Sequence, residues 1–321
     1  MDDTIELSEW ETCGERDALV PIISSCRLFL SVRGPPRKAN QPVVICESGS
    51  ASGGNGWFTL ARLLAPHVRV YYYDRAGTGS SDTSNMARTA SNMAAELAEL
   101  LSMAHIRPPY ITVAHSYGGL ITRELLARFS SDAFAGMVFV DAVQEKTFET
   151  LQIPYGVFSI LFENMDFFEV TGHNRDHRLT PEEYASLMAP DENAKANKIA
   201  EKEQALFTES SEALEEKRQF ETQPLGQRPV TAIAGNCAGA YCLMLKDAAA
   251  RDIGSPEERA EFEAFVKRVK ASTEPLQREQ LRLSTSASSR FIQGGRNGHY
   301  PQWTEPQLVA DEVLLMFGAA V

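Results

Sequence analysis

A serine at a tight turn is the first residue whose setting suggests chemistry. The stretch Tyr110-Ile111-Thr112-Val113-Ala114-His115-Ser116-Tyr117-Gly118-Gly119-Leu120 opens as a short β-branched run. It breaks at a polar pair and two glycines, then continues as an apolar-periodic segment to Phe129. The pattern predicts a strand, a sharp turn and a helix, with Ser116 at the turn. A turn tight enough to lift a hydroxyl above a sheet brings strand and helix backbones nearly into contact. The residues two before and two after the serine must then be almost free of side chain, as Ala114 and Gly118 are. By itself the pattern also describes a plain strand-to-helix turn carrying an incidental serine.

The elements around this turn read as a repeated alternation of strand and helix. Cys26-Arg27-Leu28-Phe29-Leu30-Ser31-Val32 reads as an early edge strand, closed by Gly34-Pro35-Pro36. Val43-Val44-Ile45-Cys46 is a continuous apolar run, the mark of a strand buried on both faces. It empties into a loop from Glu47 to Gly56, before a helix from about Phe58 to Leu64. Arg69–Tyr73 is the next strand, Thr89–Met103 an amphipathic helix, and Gly136–Val140 a buried strand ending in Asp141. From about Glu145 to Arg228 the alternation gives way to a helical stretch with an aromatic cluster: Phe148, Tyr155, Phe158, Phe162, Phe167 and Phe168. Within it, Ala200–Gln219 reads as one charged, solvated helix. Val230–Ala234 resumes the sheet, a second helical insertion follows, and Ser289–Ile292 is the last strand. A loop, Gly294-Gly295-Arg296-Asn297-Gly298-His299-Tyr300, and a helix from about Pro306 to Phe317, capped by Thr304, close the chain. The expected fold is α/β, a mostly parallel sheet with helices on both faces.

Two motifs in this order resemble the α/β-hydrolase superfamily. Ala114-His115-Ser116-Tyr117-Gly118 is similar to its nucleophile elbow G-x-S-x-G, with alanine for the first glycine. Asp74-Arg75-Ala76-Gly77-Thr78-Gly79-Ser80-Ser81-Asp82 is similar to the D-R-A-G-x-G-x-S-D that many members carry after the equivalent strand, a scaffolding segment to which no chemistry is assigned. The end N-G-H-Y also resembles the G-x-G-H-Y of related hydrolases. The resemblance covers about residues 26–145 and 229–317. It implies a catalytic domain of residues 1–144 and 229–321, with a helical lid, 145–228, inserted after the strand ending at Asp141.

The resemblance also implies a site, in the family's order of nucleophile, acid and histidine. Ser116 takes the nucleophile's place. His299 stands beyond the last strand, where the family carries its base. The commonest place for the acid, after Val230–Ala234, reads Gly235-Asn236-Cys237-Ala238-Gly239-Ala240 and holds no carboxylate. Asp141 is therefore favoured over Asp247, because V-F-V-D-A-V-Q-E resembles the V-L-V-D-A-S-H-E of a hydrolase subgroup. The N–H groups of Tyr117 and Ser50 are the expected oxyanion donors. His115, next to the serine, is expected to point away from the site.

Other chemistries fit less well. Gly54-Asn55-Gly56 has Thr59 where a dinucleotide fingerprint needs its third glycine, so no cofactor is expected. His173 and His177 lack both a third ligand and the H-E-x-x-H pattern, so they read as a polar lid turn and no metal is expected. Five scattered cysteines suggest no disulfide framework, and Cys26 and Cys46 read as buried thiols. A net charge of −12 argues against nucleic acid or an anionic membrane as partner. The acidic start Met1–Glu6 lacks a secretory apolar region and no run approaches a membrane span, so a cytoplasmic monomer or homodimer is expected. The reading is a serine hydrolase acting on a medium-sized apolar ester, lactone or thioester. A lyase, cyclase or acyltransferase using the same residues is the nearest rival, and a non-catalytic small-molecule binding protein on this fold is the rival of another class.

Overall fold

The computed structural model describes residues 7–295 and 298–320, and of residues 190–194 the backbone alone. Met1–Glu6, and Arg296 and Asn297 of the loop before His299, lie outside the described residues. Eight strands form one sheet: β1 (Arg16–Pro21), β2 (Arg27–Arg33), β3 (Val43–Glu47), β4 (Val70–Tyr73), β5 (Tyr110–His115), β6 (Phe134–Val140), β7 (Val230–Ala234) and β8 (Arg290–Gln293). Their order is β1-β2-β4-β3-β5-β6-β7-β8, antiparallel at the β1, β2 and β4 end and parallel from β4 to β8.

The expected edge strand is corrected here. The strand read from Cys26 is second in the sheet, and β1 lies outside it. β1 escapes a sequence reading because its apolar run, Ala18-Leu19-Val20, is short and ends in Pro21, and of its six residues only Val20 is buried. The central strands behave as their composition demands. Val43 and Ile45 enter the core on one face, beneath helices Ala90–Met103 and Gly118–Arg128. Val44 and Cys46 enter the core on the other, beneath Phe58–Leu64 and Pro306–Ala320. Both faces are covered, which is why β3 is apolar at every position from Val43 to Cys46 rather than at alternate ones. Thr304 does not cap the last helix, because it closes a separate turn, Pro301–Thr304.

The parallel order puts the carboxyl ends of β3, β5, β6 and β7 along one rim of the sheet. Helices from Thr147 to Thr222 lie between β6 and β7 in the chain, and Cys237–Ala250 and Pro256–Glu279 lie between β7 and β8. The two stretches share a core. Val157 and Leu161 of helix Tyr155–Phe162 pack with Phe262, Phe265, Val266 and Val269 of the second insertion. The expected single helix Ala200–Gln219 is also corrected. The chain bends after Gln204 and again after Glu215, giving Pro190–Gln204, Phe207–Glu215 and Gln219–Thr222. Glu203, Ser210 and Leu214 of this segment are buried. Charge read along the sequence suggested a solvated face, but Glu203 has found partners inside.

The turn after β5 is as tight as its glycine implies. A Cβ on Gly118 would come within 2.7 Å of the backbone carbonyl oxygens of both Glu47 and Ser48. Gly118→Ala is therefore expected to destabilise the protein by about 1–3 kcal/mol through forced backbone shifts. Gly156→Ala, in a helix with open space around it, is expected to stabilise by about 0.5–1 kcal/mol. Melting midpoints moving in opposite directions would bear this out, and a Gly118→Ala midpoint equal to wild type would contradict it.

Candidate active site

Two strand ends and one loop converge above the rim. Ser116 follows β5 with φ 52°, a left-handed conformation uncommon for a residue with a side chain. Its carbonyl accepts from the N–H groups of Gly119 (3.0 Å) and Val143 (2.8 Å), which hold the turn. Asp141 follows β6 with φ 43° and donates its N–H to Ile233 O at 2.7 Å. His299 sits in the loop after β8, next to Gly298, which bridges to Asn236. His299 Nε2 lies 2.7 Å from Ser116 Oγ, and its Nδ1 lies 2.6 Å from Asp141 Oδ2. The three residues singled out from the sequence are thus brought together, with the imidazole between hydroxyl and carboxylate.

The electrostatics assign the proton on Nδ1. Burial alone would push the Asp141 carboxyl up. Hydrogen bonds from His299, the Cys237 thiol (3.0 Å) and the Gly235 N–H (2.8 Å) outweigh burial and hold it below the usual carboxylate range. An ionised carboxylate can only accept, so Nδ1 donates to it and Nε2 is left to accept from Ser116. Burial, then the neighbouring Asp141 charge, push the Cys237 thiol well up, so it stays protonated and can donate. Asp141, Cys237 and His299 also form a group whose ligand atoms lie within 4.8 Å of one another.

Asp247 is elsewhere. It sits within helix Cys237–Ala250 and pairs with Arg251 one turn on, at 3.1 Å. Glu145 is buried against Arg123. Neither touches His299.

His115 was expected to have no part in the site. It is absent from the cavity wall, but its Nε2 lies 2.7 Å from the backbone carbonyl of His299. Burial depresses its pKa to about 3, so the ring is neutral, and a carbonyl can only accept. The Nε2–H bond therefore ties the His299 loop down from below.

A cavity of about 230 Å³ opens beside Ser116. Ser50, Tyr117, Asp141 and His299 line it at the polar end, and Phe148, Leu151, Phe207, Phe265, Val269 and Leu276 form much of the rest. Of the aromatic cluster read from the sequence, Phe148 and Tyr155 reach this wall. Phe158 and Phe162 instead pack edge-on against Phe262, at 4.9 and 4.8 Å between centroids. Phe167 and Phe168 pack near His173 and Tyr300. His173 itself is buried rather than solvated, with Nδ1 2.6 Å from Thr171 Oγ1, and His177 stacks on Tyr184.

Beneath the loop after β3 lies a buried charge cluster that the sequence did not announce. Arg75 donates to Glu47 Oε1 and to Ser48 O, both at 2.7 Å, and to Gly49 O. Burial pushes the Glu47 carboxyl up, and the Arg75 charge and the Tyr73 hydroxyl at 2.5 Å oppose it. Glu203 Oε1 lies 3.4 Å from Arg75, and its Oε2 accepts from Ser50 Oγ at 2.6 Å and Ala51 N at 2.7 Å. Arg75 stood in a motif taken as scaffold. Glu203 carried no signal, being one acid among many. Cys237 stood in the segment searched only for a carboxylate.

Comparison with known proteins agrees with this architecture. The family model for the alpha/beta hydrolase family matches residues 43–312. An AB hydrolase superfamily protein of Gibberella zeae is 36% identical over 318 residues, covering 95% of this chain and 96% of that one. Among solved structures, a thermophilic esterase from Thermogutta terrifontis superposes with a TM-score of 0.56 at 17% identity, over 95% of this chain and 99% of that one. A haloalkane dehalogenase from Agrobacterium tumefaciens gives 0.59 at 15%, over 96% and 98%. At such identities the two structures speak to the fold alone. Among the described residues no helix is long and apolar enough to cross a membrane.

The geometry separates the two candidate acids. An asparagine at 141 would turn its amide toward Nδ1 and favour the opposite imidazole tautomer, with a proton facing Ser116. Asp141→Asn is expected to lower any turnover through Ser116 by about 10⁴-fold. Asp247→Asn is expected to stay within about tenfold of wild type, a barrier change of at most ~1.4 kcal/mol. Steady-state rates on variants checked for folding decide it, and a folded, active Asp141→Asn would remove Asp141 from the site.

Proposed function

This chain belongs to the alpha/beta hydrolase family, and from that membership we propose a serine hydrolase that cleaves a medium-sized apolar ester, lactone or thioester through an acyl-enzyme on Ser116. The observation that carries the reading is the pair of hydrogen bonds on one imidazole, 2.7 Å to Ser116 Oγ and 2.6 Å to Asp141 Oδ2, at the polar end of an apolar cavity.

In this reading His299 Nε2 takes the proton of Ser116 as Oγ attacks the acyl carbon. Asp141 holds the ring in the required tautomer and stabilises the imidazolium that forms. The carbonyl oxygen gathers charge and accepts hydrogen bonds from the N–H groups of Tyr117 and Ser50. His299 then gives its proton to the leaving alcohol or thiol. A water molecule, deprotonated by the same nitrogen, releases the acid. The apolar wall of Phe148, Leu151, Phe207, Phe265, Val269 and Leu276 favours a hydrocarbon acyl or alkyl group over a charged one.

Two measurements test this. Wild-type protein incubated with a fluorophosphonate is expected to gain one adduct by intact mass, on Ser116. Ser116→Ala is expected to lose both the adduct and ester turnover while keeping its melting midpoint. An adduct on another serine would overturn the assignment. Across p-nitrophenyl esters, kcat/KM is expected to rise from acetate to medium chains. Each buried methylene contributes at most ~0.8 kcal/mol, about fourfold per carbon. A preference for acetate, or for a charged acyl group, would contradict the apolar pocket.

A further inference from the structure

The loop after β3 owes its shape to a carboxylate from the far side of the chain. Ser50 is flanked by two peptide units, and each is held by a buried charged side chain. In the first, Gly49 O accepts from Arg75 Nη2. The C=O and N–H of one trans peptide unit point in opposite directions, so the Ser50 N–H faces away from Arg75. Gly49 itself lies against the serine, since a methyl on it would sit 3.1 Å from Ser116 Cβ. In the second unit, the Ala51 N–H donates to Glu203 Oε2 at 2.7 Å, while Ser50 O accepts from Ser52 Oγ at 3.2 Å. Ala51 has φ 54°, a left-handed conformation that an alanine keeps only when its surroundings impose it. The Ser50 hydroxyl is committed to the same Glu203 oxygen, at 2.6 Å. Glu203 and Arg75 are both buried, and their nearest charged atoms are 3.4 Å apart.

We infer that Glu203 is a positioning residue: together with Arg75 it sets the two peptide units around Ser50, so the Ser50 N–H is presented to the oxyanion only while the helix Pro190–Gln204 is seated. The inference rests on the proposed role of the Ser50 N–H. Arg75 also polarises that peptide unit, because a cation at its carbonyl oxygen strengthens the N–H as a donor. The helix that carries Glu203 lies in the insertion between β6 and β7, the roof, which gives Phe148, Leu151 and Phe207 to the cavity wall. A roof that lifts would therefore release the oxyanion donor, and acylation would be confined to the closed form.

The test compares two buried or half-buried roof carboxylates. Glu203→Gln keeps the size of the side chain. Either orientation of the amide puts an NH₂ against a donor, Arg75 on one side or Ser50 and Ala51 on the other. Glu183→Gln serves as control, because Glu183 ties the roof to Thr59 (3.1 Å) and Arg62 (3.1 Å), away from Ser50. With a medium-chain p-nitrophenyl ester, Glu203→Gln is expected to lower the acylation burst rate and kcat by tenfold or more, with KM within threefold. Glu183→Gln is expected to stay within twofold in kcat. A folded Glu203→Gln acylating at the wild-type rate would overturn the inference, as would an equal loss of kcat in Glu183→Gln. Should Glu203→Gln fail to fold, Ser50→Ala decides, since it removes one of the two bonds to Glu203 and leaves the backbone N–H in place. A loss of kcat of threefold or more at unchanged KM supports the inference, and wild-type kcat overturns it. Fluorophosphonate labelling of the wild type separates the two levels. No adduct on Ser116 brings down the hydrolase reading, whereas an adduct alongside an indifferent Glu203 brings down only this inference.

Discussion

One backbone conformation governs the rim of this sheet. Ser116 adopts φ 52° so that its hydroxyl rises above the strand ends. A left-handed residue with a side chain costs of order 1–3 kcal/mol, and it persists only where neighbouring structure over-determines it. Here the carbonyl of Ser116 is held from two sides, by Gly119 and Val143, and the helix that follows starts against the carbonyls of Glu47 and Ser48. The end of β3 and the start of the helix Gly118–Arg128 therefore occupy one shared space, which is what brings the Gly49–Ser50 backbone beside the serine. Asp141, at the end of the neighbouring strand, is left-handed too and is held by Ile233 of β7. The unfavourable conformations sit where fully buried central strands are there to offset them.

Around that turn the protein buries charge. Arg75, Glu47 and Glu203 are removed from water beneath the loop after β3. Buried ion pairs are poor sources of net stability, because desolvation cancels most of the attraction, yet removing one partner is costly. Such a cluster therefore acts on conformation. Arg75 directs three of its bonds to Glu47 and to the carbonyls of Ser48 and Gly49, and those partners exist together only in one arrangement of the loop. His115 does the same for the opposite side of the site, where a neutral ring grips the carbonyl of His299. Both sides of Ser116 are thus positioned from below by polar groups that do not line the cavity.

The roof follows a different logic, that of apolar packing. Its aromatic rings divide between holding the roof together and facing the cavity, and the neighbour of each ring decides which. Phe158 and Phe162 meet Phe262 from the second insertion, whereas Phe148 stacks on Phe207 at 4.6 Å and both line the pocket. Because Phe262 and Phe265 come from beyond β7, the roof is closed only when segments about a hundred residues apart in the chain have met.

What could be read from the sequence was local. The turn at Ser116 was legible because sterics demand small residues at 114 and 118, and the buried strands because two covered faces leave no room for polar positions. Asp141 and His299 were singled out only through the resemblance to the α/β-hydrolase superfamily, since an aspartate after a strand and a histidine in a loop carry no local signal of their own. β1 was not legible, since its apolar run of Ala18-Leu19-Val20 is cut by a proline that argues against a strand. Neither were Glu203, Cys237 and His115. An acid in a charged helix, a cysteine after a strand and a histidine beside a serine look the same in sequence whether they meet water or a buried partner. Only the tertiary structure decided that Glu203 turns inward to Ser50 and Arg75, that Cys237 donates to Asp141, and that His115 holds the His299 loop. The physical reason is that periodicity and turn sterics act between neighbours in the chain, whereas the value of a buried polar group depends on the partner that folding brings to it.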